Sequence, residues 1–148
     1  MPAKDTYHDA VRNALVKDGW TITDDPLHLV WAKRTFYVDL GAERVLAAEK
    51  AGRRIAVEVK SFVSPSEVTD LQRALGQFLL YHSIMRRDEP GRTLFLAVPD
   101  EAAGVFEEPI GQLLLEDYQL QVIVFHPEKE EIVRWIPRAP TAISSNES

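Results

Sequence analysis

The chain has no cysteine among its 148 residues. That excludes a disulfide framework and every thiolate-bound metal site. No apolar run is long enough to cross a bilayer, and the N-terminus lacks the basic-then-apolar pattern of a secretory leader. A cytoplasmic location, with no membrane partner, is therefore expected. Positive charge is also in short supply: 17 Lys and Arg stand against 23 Asp and Glu, a net charge of −6. This argues against strong non-specific nucleic-acid binding. It leaves room for a local basic surface, because Arg44, Lys50, Arg53, Arg54 and Lys60 fall close together around one motif. No internal repeat or low-complexity block is visible. A content of 45% hydrophobic and 27% charged residues is that of an ordinary globular chain. The length suits one domain with a substantial core, expected over residues 1–136, with a Pro- and Ser-rich mobile tail at 137–148.

Periodicity gives the elements. A helix is expected from about Asp5 to Asp18, with Asp5 as N-cap, Tyr7, Val11, Ala14 and Leu15 on one face, and Gly19 ending the run. Trp20-Thr-Ile-Thr reads as extended and Asp24-Asp25-Pro26 breaks it. Leu27 to Trp31 and Phe36 to Leu40 read as strands. Ser64-Pro65-Ser66-Glu67 has the form of a capping box, with Ser64 as N-cap and Pro65 at the first helical position. Leu71, Leu75, Phe78, Leu79 and His82 then mark the face of a helix that runs to about Arg87. Thr93 to Val98 is a nearly continuous apolar run, as in a strand covered on both faces. Glu101 to Glu107 and Ile110 to Asp117 read as helical pieces interrupted by Pro109. Leu120 to Phe125 and Ile132 to Ile136 read as strands joined by a charged turn. The order is an α/β sandwich on a mixed sheet.

The chemistry concentrates at Ile55-Ala-Val-Glu-Val-Lys60. Alternation along a strand puts Glu58 and Lys60 on one side and Ile55, Val57 and Val59 on the other. Two charges beside a core are costly unless they have partners or a task. The preceding run, Val45 to Lys50, joins this one through Ala51-Gly52, a hairpin signal. A two-residue turn pairs Lys50 with Arg53. Val45 then lies opposite Glu58, and Glu43 opposite Lys60. Asp39 shares that face by parity but lies several pairs further out. It reaches Glu58 only if the strand kinks, for which Gly41 offers a bulge site. Gln77 and Tyr81 follow one turn apart on the capped helix.

An upstream acid, an E-x-K strand and Gln77-Phe-Leu-Leu-Tyr81 together resemble the PD-(D/E)xK nuclease superfamily. That resemblance implies a restriction-endonuclease-like α-β-β-β-α-β core, here a mixed central sheet flanked by helices with two further C-terminal strands. In that superfamily an acid on the second strand and the E-x-K pair on the third form the site. Some branches add a Q-x-x-x-Y motif on the next helix. It implies Asp39, Glu58, Lys60 and Gln77 as catalytic residues, with Asp39, Glu58 and Glu43 as candidate ligands of Mg²⁺. Carboxylate and carbonyl oxygens suit that ion. The ion would activate a water and stabilise charge on a DNA phosphodiester, while the lysine orients or deprotonates that water. The superfamily pattern favours Asp39 as second acid and the register favours Glu43. Asp39 is placed first, because a glycine-broken strand loosens the register.

A narrower resemblance rests on Met1 to Val11, Lys17-Asp-Gly-Trp-Thr-Ile-Thr, Val38-Asp-Leu-Gly-Ala-Glu43, Ala47-Ala-Glu-Lys50, Glu58-Val-Lys-Ser-Phe62, Ala74-Leu-Gly-Gln-Phe78 and Leu96-Ala-Val-Pro99. These look like the XisH family, cyanobacterial fdxN-element excision controlling factors, from residue 1 to about residue 136. The resemblance implies a role in controlling excision of a DNA element during heterocyst development, with a XisI-type protein as partner. No tyrosine- or serine-recombinase constellation accompanies it. The rival expectation is a catalytically inactive regulatory subunit that works through that partner. Nucleases of this fold often pair, so a homodimer using the late strands and Trp135 is a further expectation.

Plainer readings stand beside these. Glu58 and Lys60 alone would more often be a solvated strand face. Tyr81 reads equally as core edge or ligand, and His8 as a packed residue or a phosphate contact. Trp20, Trp31 and Trp135 read as anchors of core or interface. Arg53-Arg54 and Arg86-Arg87 read as solvated surface or phosphate contacts.

Overall fold

Helix α1 spans Pro2–Lys17 in the computed structural model. The structure describes residues 2–25, 27, 29–31, 34–36, 45–62 and 66–137. The helix starts a turn before the expected Asp5, because proline suits a first helical position: its missing N–H has no intrahelical partner there. It ends as the sequence indicates. Gly19 takes φ +95°, the Trp20 amide donates to the Leu15 carbonyl at 2.9 Å, and the Gly19 amide donates to the Val16 carbonyl at 3.0 Å. This pair of bonds is a Schellman cap.

Strand β1 (Thr21–Asp24) leaves that cap, and β4 (Val45–Lys50) pairs with it antiparallel. Between them, β2 (Leu29–Trp31) and β3 (Arg34–Phe36) form a separate two-stranded hairpin, with β2 against helix α2 (Glu67–Asp88). Strand β5 (Arg53–Val59) follows β4 through Ala51 and Gly52, both at positive φ (50° and 82°). Such a two-residue turn matches the twist of the strands it joins. The resulting register pairs Lys50 with Arg53 and Val45 with Glu58, as counted from the sequence.

Helix α2 begins at Glu67, with the Ser66 hydroxyl accepting from the Thr69 amide at 3.1 Å. The cap is therefore Ser66 rather than the expected Ser64. Both serines carry the right group, and the one three residues before a free amide takes the role. Beyond α2 come β6 (Arg92–Pro99), a 3-10 helix (Asp100–Glu107), α3 (Pro109–Tyr118), β7 (Val122–His126) and β8 (Glu131–Ile136). Pro109 opens α3, its first position again suiting proline. Gly111 lets α3 close on the 3-10 helix: a Cβ there would meet the Val105 carbonyl oxygen at 2.1 Å.

The main sheet has the order β1-β4-β5-β6-β7-β8. Strands β5, β6 and β7 run parallel and the outer pairings are antiparallel. Its elements therefore occur as α1-β1-β4-β5-α2-β6, followed by β7 and β8, which is the expected mixed sheet flanked by helices. Each face carries a core. Ala56, Leu94, Leu96 and Val98 pack under Leu71, Phe78 and Tyr81 of α2. Ile55, Val57, Val59 and Phe95 pack under Val11 and Leu15 of α1. Trp135 lies against both Phe95 (5.1 Å between centroids) and Trp20 (6.0 Å), an anchor at the edge of that second core. Among the described residues, no helix is long and apolar enough to cross a membrane.

Candidate functional site

Alternation along β5 places Glu58 on the α2 side, where it is 1% exposed. Lys60 follows the strand, and its amide still donates to the Ala97 carbonyl at 2.8 Å, prolonging the ladder with β6. That bond keeps the Lys60 side chain on the same face, 6% exposed, with Nζ 3.2 Å from Glu58 Oε2. The ammonium also donates to Gln77 Oε1. Helix α2 delivers Gln77 because its neighbours Ala74, Phe78 and Tyr81 form the buried stripe that fixes the helix rotation. Tyr81 is itself 6% exposed within that core. Glu58, Lys60 and Gln77, named from the sequence, are thus brought together.

Asp39 and Glu43 lie outside the described residues. Glu49 is described and does not join the group: it pairs with Arg54 towards the turn end of the hairpin. The basic residues expected around the motif are likewise separated from Lys60. Lys50 bonds the Asp18 carbonyl oxygen at 2.5 Å, and Arg54 bonds Glu89 at 3.2 Å, both at the Ala51–Gly52 end of the sheet. A seven-residue strand is about 20 Å long. Closeness in sequence along a strand therefore became distance in space, and no basic patch of these residues surrounds Lys60. Arg44 lies outside the described residues.

One further cluster was not read from the sequence. His8 is 7% exposed, and its Nε2 lies 2.9 Å from Asp25 Oδ1. Arg12, one turn on from His8, donates to Asp25 Oδ2 at 2.5 Å. The Asp25 carboxylate accepts from both Arg12 and the His8 Nε2–H, which leaves His8 Nδ1 as the ring's other polar atom. That atom is buried with no hydrogen-bond partner among the described residues. Strands β1 and β5 are both antiparallel to β4, so they point the same way. Asp25 after β1 and Lys60 after β5 therefore leave the sheet towards the same end, two strands apart in the order and with Lys60 the further along. The available signal was the i, i+4 spacing of His8 and Arg12, but nothing in the pattern tied that face to Asp25.

Chemically, the Glu58 group offers a desolvated hard oxygen donor beside a fixed cation. A hard divalent cation accepts such an oxygen, but needs more than one. Among the described residues, no group of three or more His, Asp or Glu is placed to hold a metal ion. Glu58 thus fits Mg²⁺ in kind, and a full donor set requires acids beyond the described residues.

The fold and site define a mixed α/β domain whose six-stranded sheet carries a buried acid–lysine pair at the end of a central strand. The model of the XisH protein family matches residues 1–133, and the chain belongs to that family. Two crystal structures resemble it over nearly their whole length. One, from Anabaena variabilis, is described as an fdxN element excision controlling factor protein. It is 38% identical with a TM-score of 0.80, over 89% of this chain and 98% of that one. The other, an XisH family protein from Nostoc punctiforme PCC 73102, is 36% identical with a TM-score of 0.80, over 88% and 98%. No curated protein matches the chain.

Proposed function

We propose that this chain is an element excision controlling factor that acts on DNA through a PD-(D/E)xK-type, Mg²⁺-dependent phosphodiesterase site. The observation that carries this reading is the buried Glu58–Lys60 pair with Gln77 on the ammonium. A desolvated carboxylate and cation kept together at a strand end cost stability that an apolar pair would not. A phosphodiester and a divalent cation are the charges that complement them. Glu58, with Asp39 or Glu43, would hold the ion. When bound, Mg²⁺ would lower the pKa of a water and offset charge on the scissile phosphate. Lys60 would orient the attacking water and neutralise charge developing on phosphate oxygens. Gln77 holds the ammonium in place for that contact. The description of the Anabaena variabilis relative as an fdxN element excision controlling factor supports a DNA-element context.

A specific observation favours a second reading. Lys60 is deeply buried and already engaged by Glu58 and Gln77, as in a site kept for structure. The chain would then be a non-catalytic regulatory subunit acting through a XisI-type partner. It would co-purify with that partner and bind no Mg²⁺.

The test is cleavage of single-stranded, duplex and branched DNA with Mg²⁺ or Mn²⁺, with calorimetric metal titration alongside. The nuclease reading expects cleavage that Lys60→Ala abolishes and metal binding that Glu58→Gln abolishes. Asp39→Asn and Glu43→Gln identify the second acid by which of them loses metal. Absence of cleavage on every substrate, or cleavage that survives Lys60→Ala, sinks it.

A further inference from the structure

At the sheet end opposite Glu58, the last turns of α2, the start of β6 and the α3–β7 connection enclose a cavity of about 240 Å³. Phe78, Met85 and Leu94 form its buried floor. On α2, the His82 ring lies nearly parallel to Phe78, with centroids 5.5 Å apart and planes at 10°. One turn further on stands Arg86, which makes no ion pair among the described residues. Two amides line the cavity from the other element. Gln119, in the left-handed region at φ 56°, donates through Nε2 to the Glu116 carbonyl at 3.0 Å, which leaves Oε1 as an acceptor. The Gln121 side chain makes no hydrogen bond among the described residues. Arg92 is committed elsewhere, to Glu89 at 3.3 Å and the Ile55 carbonyl at 3.2 Å, so the wall it forms is preformed.

We propose that this cavity binds one nucleotide unit, a planar base joined to a phosphate. Each part of that ligand has a counterpart. A base stacks on a flat ring backed by Phe78. Gln119 and Gln121 offer an acceptor and a full amide to base edges, the pairing that amide side chains make with bases elsewhere. Arg86 supplies a charge-assisted contact to phosphate. Burial and the Arg86 guanidinium hold His82 below its ordinary value, so the ring is uncharged at neutral pH. The volume is below the ~300–1,000 Å³ of drug-sized sites, which limits the occupant to one small unit. The inference is independent of the nuclease reading, since it uses none of that site's residues.

A free mononucleotide and the 5′-phosphorylated end of a strand share this chemistry. Both are offered to the full chain without metal: 5′-dAMP and a short 5′-phosphorylated single strand, with deoxyadenosine and inorganic phosphate as partial ligands. Calorimetry and saturation-transfer NMR read binding. At least one of the two complete ligands binds saturably, and which one does identifies the source. Arg86→Ala weakens that ligand by about tenfold or more, the usual scale for losing a bond to a charged group. Arg86 is exposed, so the variant folds, and circular dichroism verifies it. The bound phosphate offsets Arg86 and raises the His82 titration midpoint followed by NMR. Binding is the same with EDTA present as with Mg²⁺ added, which separates this site from the metal-dependent one. The proposal is overturned if neither complete ligand binds, or if Arg86→Ala and Gln121→Leu both bind as well as the parent chain.

Discussion

Replacing Lys60 with methionine keeps most of the side-chain stem and removes the charge. At 3.2 Å, with an effective dielectric constant of about 20, the gross attraction between Lys60 and Glu58 is about 5 kcal/mol. Desolvation of both groups opposes it, and breaking such a pair from one side costs about 3–5 kcal/mol because the other charge stays buried. Gln77 loses its donor as well. Lys60→Met should therefore lower the unfolding free energy by about 3 kcal/mol or more at pH 8, read by urea titration. The double variant Glu58→Gln/Lys60→Met removes both charges and should recover to within about 1 kcal/mol of the parent.

The pH dependence adds a second signature. With the ammonium gone, burial disfavours the charged form of Glu58, so its carboxyl binds a proton more tightly folded than unfolded. Such a group's contribution is full below the unfolded carboxyl value of about 4.3 and is lost as pH rises above it. The deficit of Lys60→Met should be small near pH 4 and grow towards pH 8. A deficit under about 1 kcal/mol at pH 8, or a double variant no more stable than the single, would refute mutual compensation of two buried charges.

Three further outcomes follow from other contacts. Gly111→Ala places a methyl group 2.1 Å from the Val105 carbonyl oxygen, so α3 must shift, and thermal denaturation should show a loss of about 3 kcal/mol. His8→Ala removes the Asp25 partner and leaves a buried gap, so urea titration should show a loss of about 1–3 kcal/mol. For His82, a folded-state value below the ordinary 6.5 means the unfolded chain binds the proton more readily. Its contribution is complete above about pH 6.5 and is lost as pH falls below that value. His82→Asn should flatten this slope, measured as the midpoint of urea unfolding against pH.

The hairpin was legible because a two-residue turn leaves one register. Ala51 and Gly52 at positive φ fix Lys50 opposite Arg53, and every pair up to Val45 and Glu58 follows. The α2 start was less legible because Ser64 and Ser66 present the same hydroxyl two residues apart. Only the geometry of the first turn chooses between them. The basic cluster misled because residues contiguous along a strand occupy opposite ends of a sheet. The Asp25 contact was invisible for a related reason: the Schellman cap at Gly19 reverses the chain and lays β1 back along α1. A strand end then meets a helix face 17 residues away.

That reversal bears on where chemistry can gather in this fold. Strands β1, β5 and β6 all leave the sheet at the end marked by Glu58, while β4 enters there at Val45. Strand β7, parallel to β6, leaves there too and turns into β8, so five chain segments converge on one edge. The opposite end of β4 and β5 is closed by two residues. The acid–lysine pair stands at the converging end, while the turn end of β4 and β5 carries the Lys50 and Arg54 contacts. Lys60 stands where its ladder with β6 is still hydrogen-bonded but its strand has ended. Its backbone is held as firmly as a core strand, and its side chain faces the edge where the connecting segments begin. The same pair two residues earlier would lie wholly between α2 and the sheet, and beyond the last bond to Ala97 it would lose its fixed position.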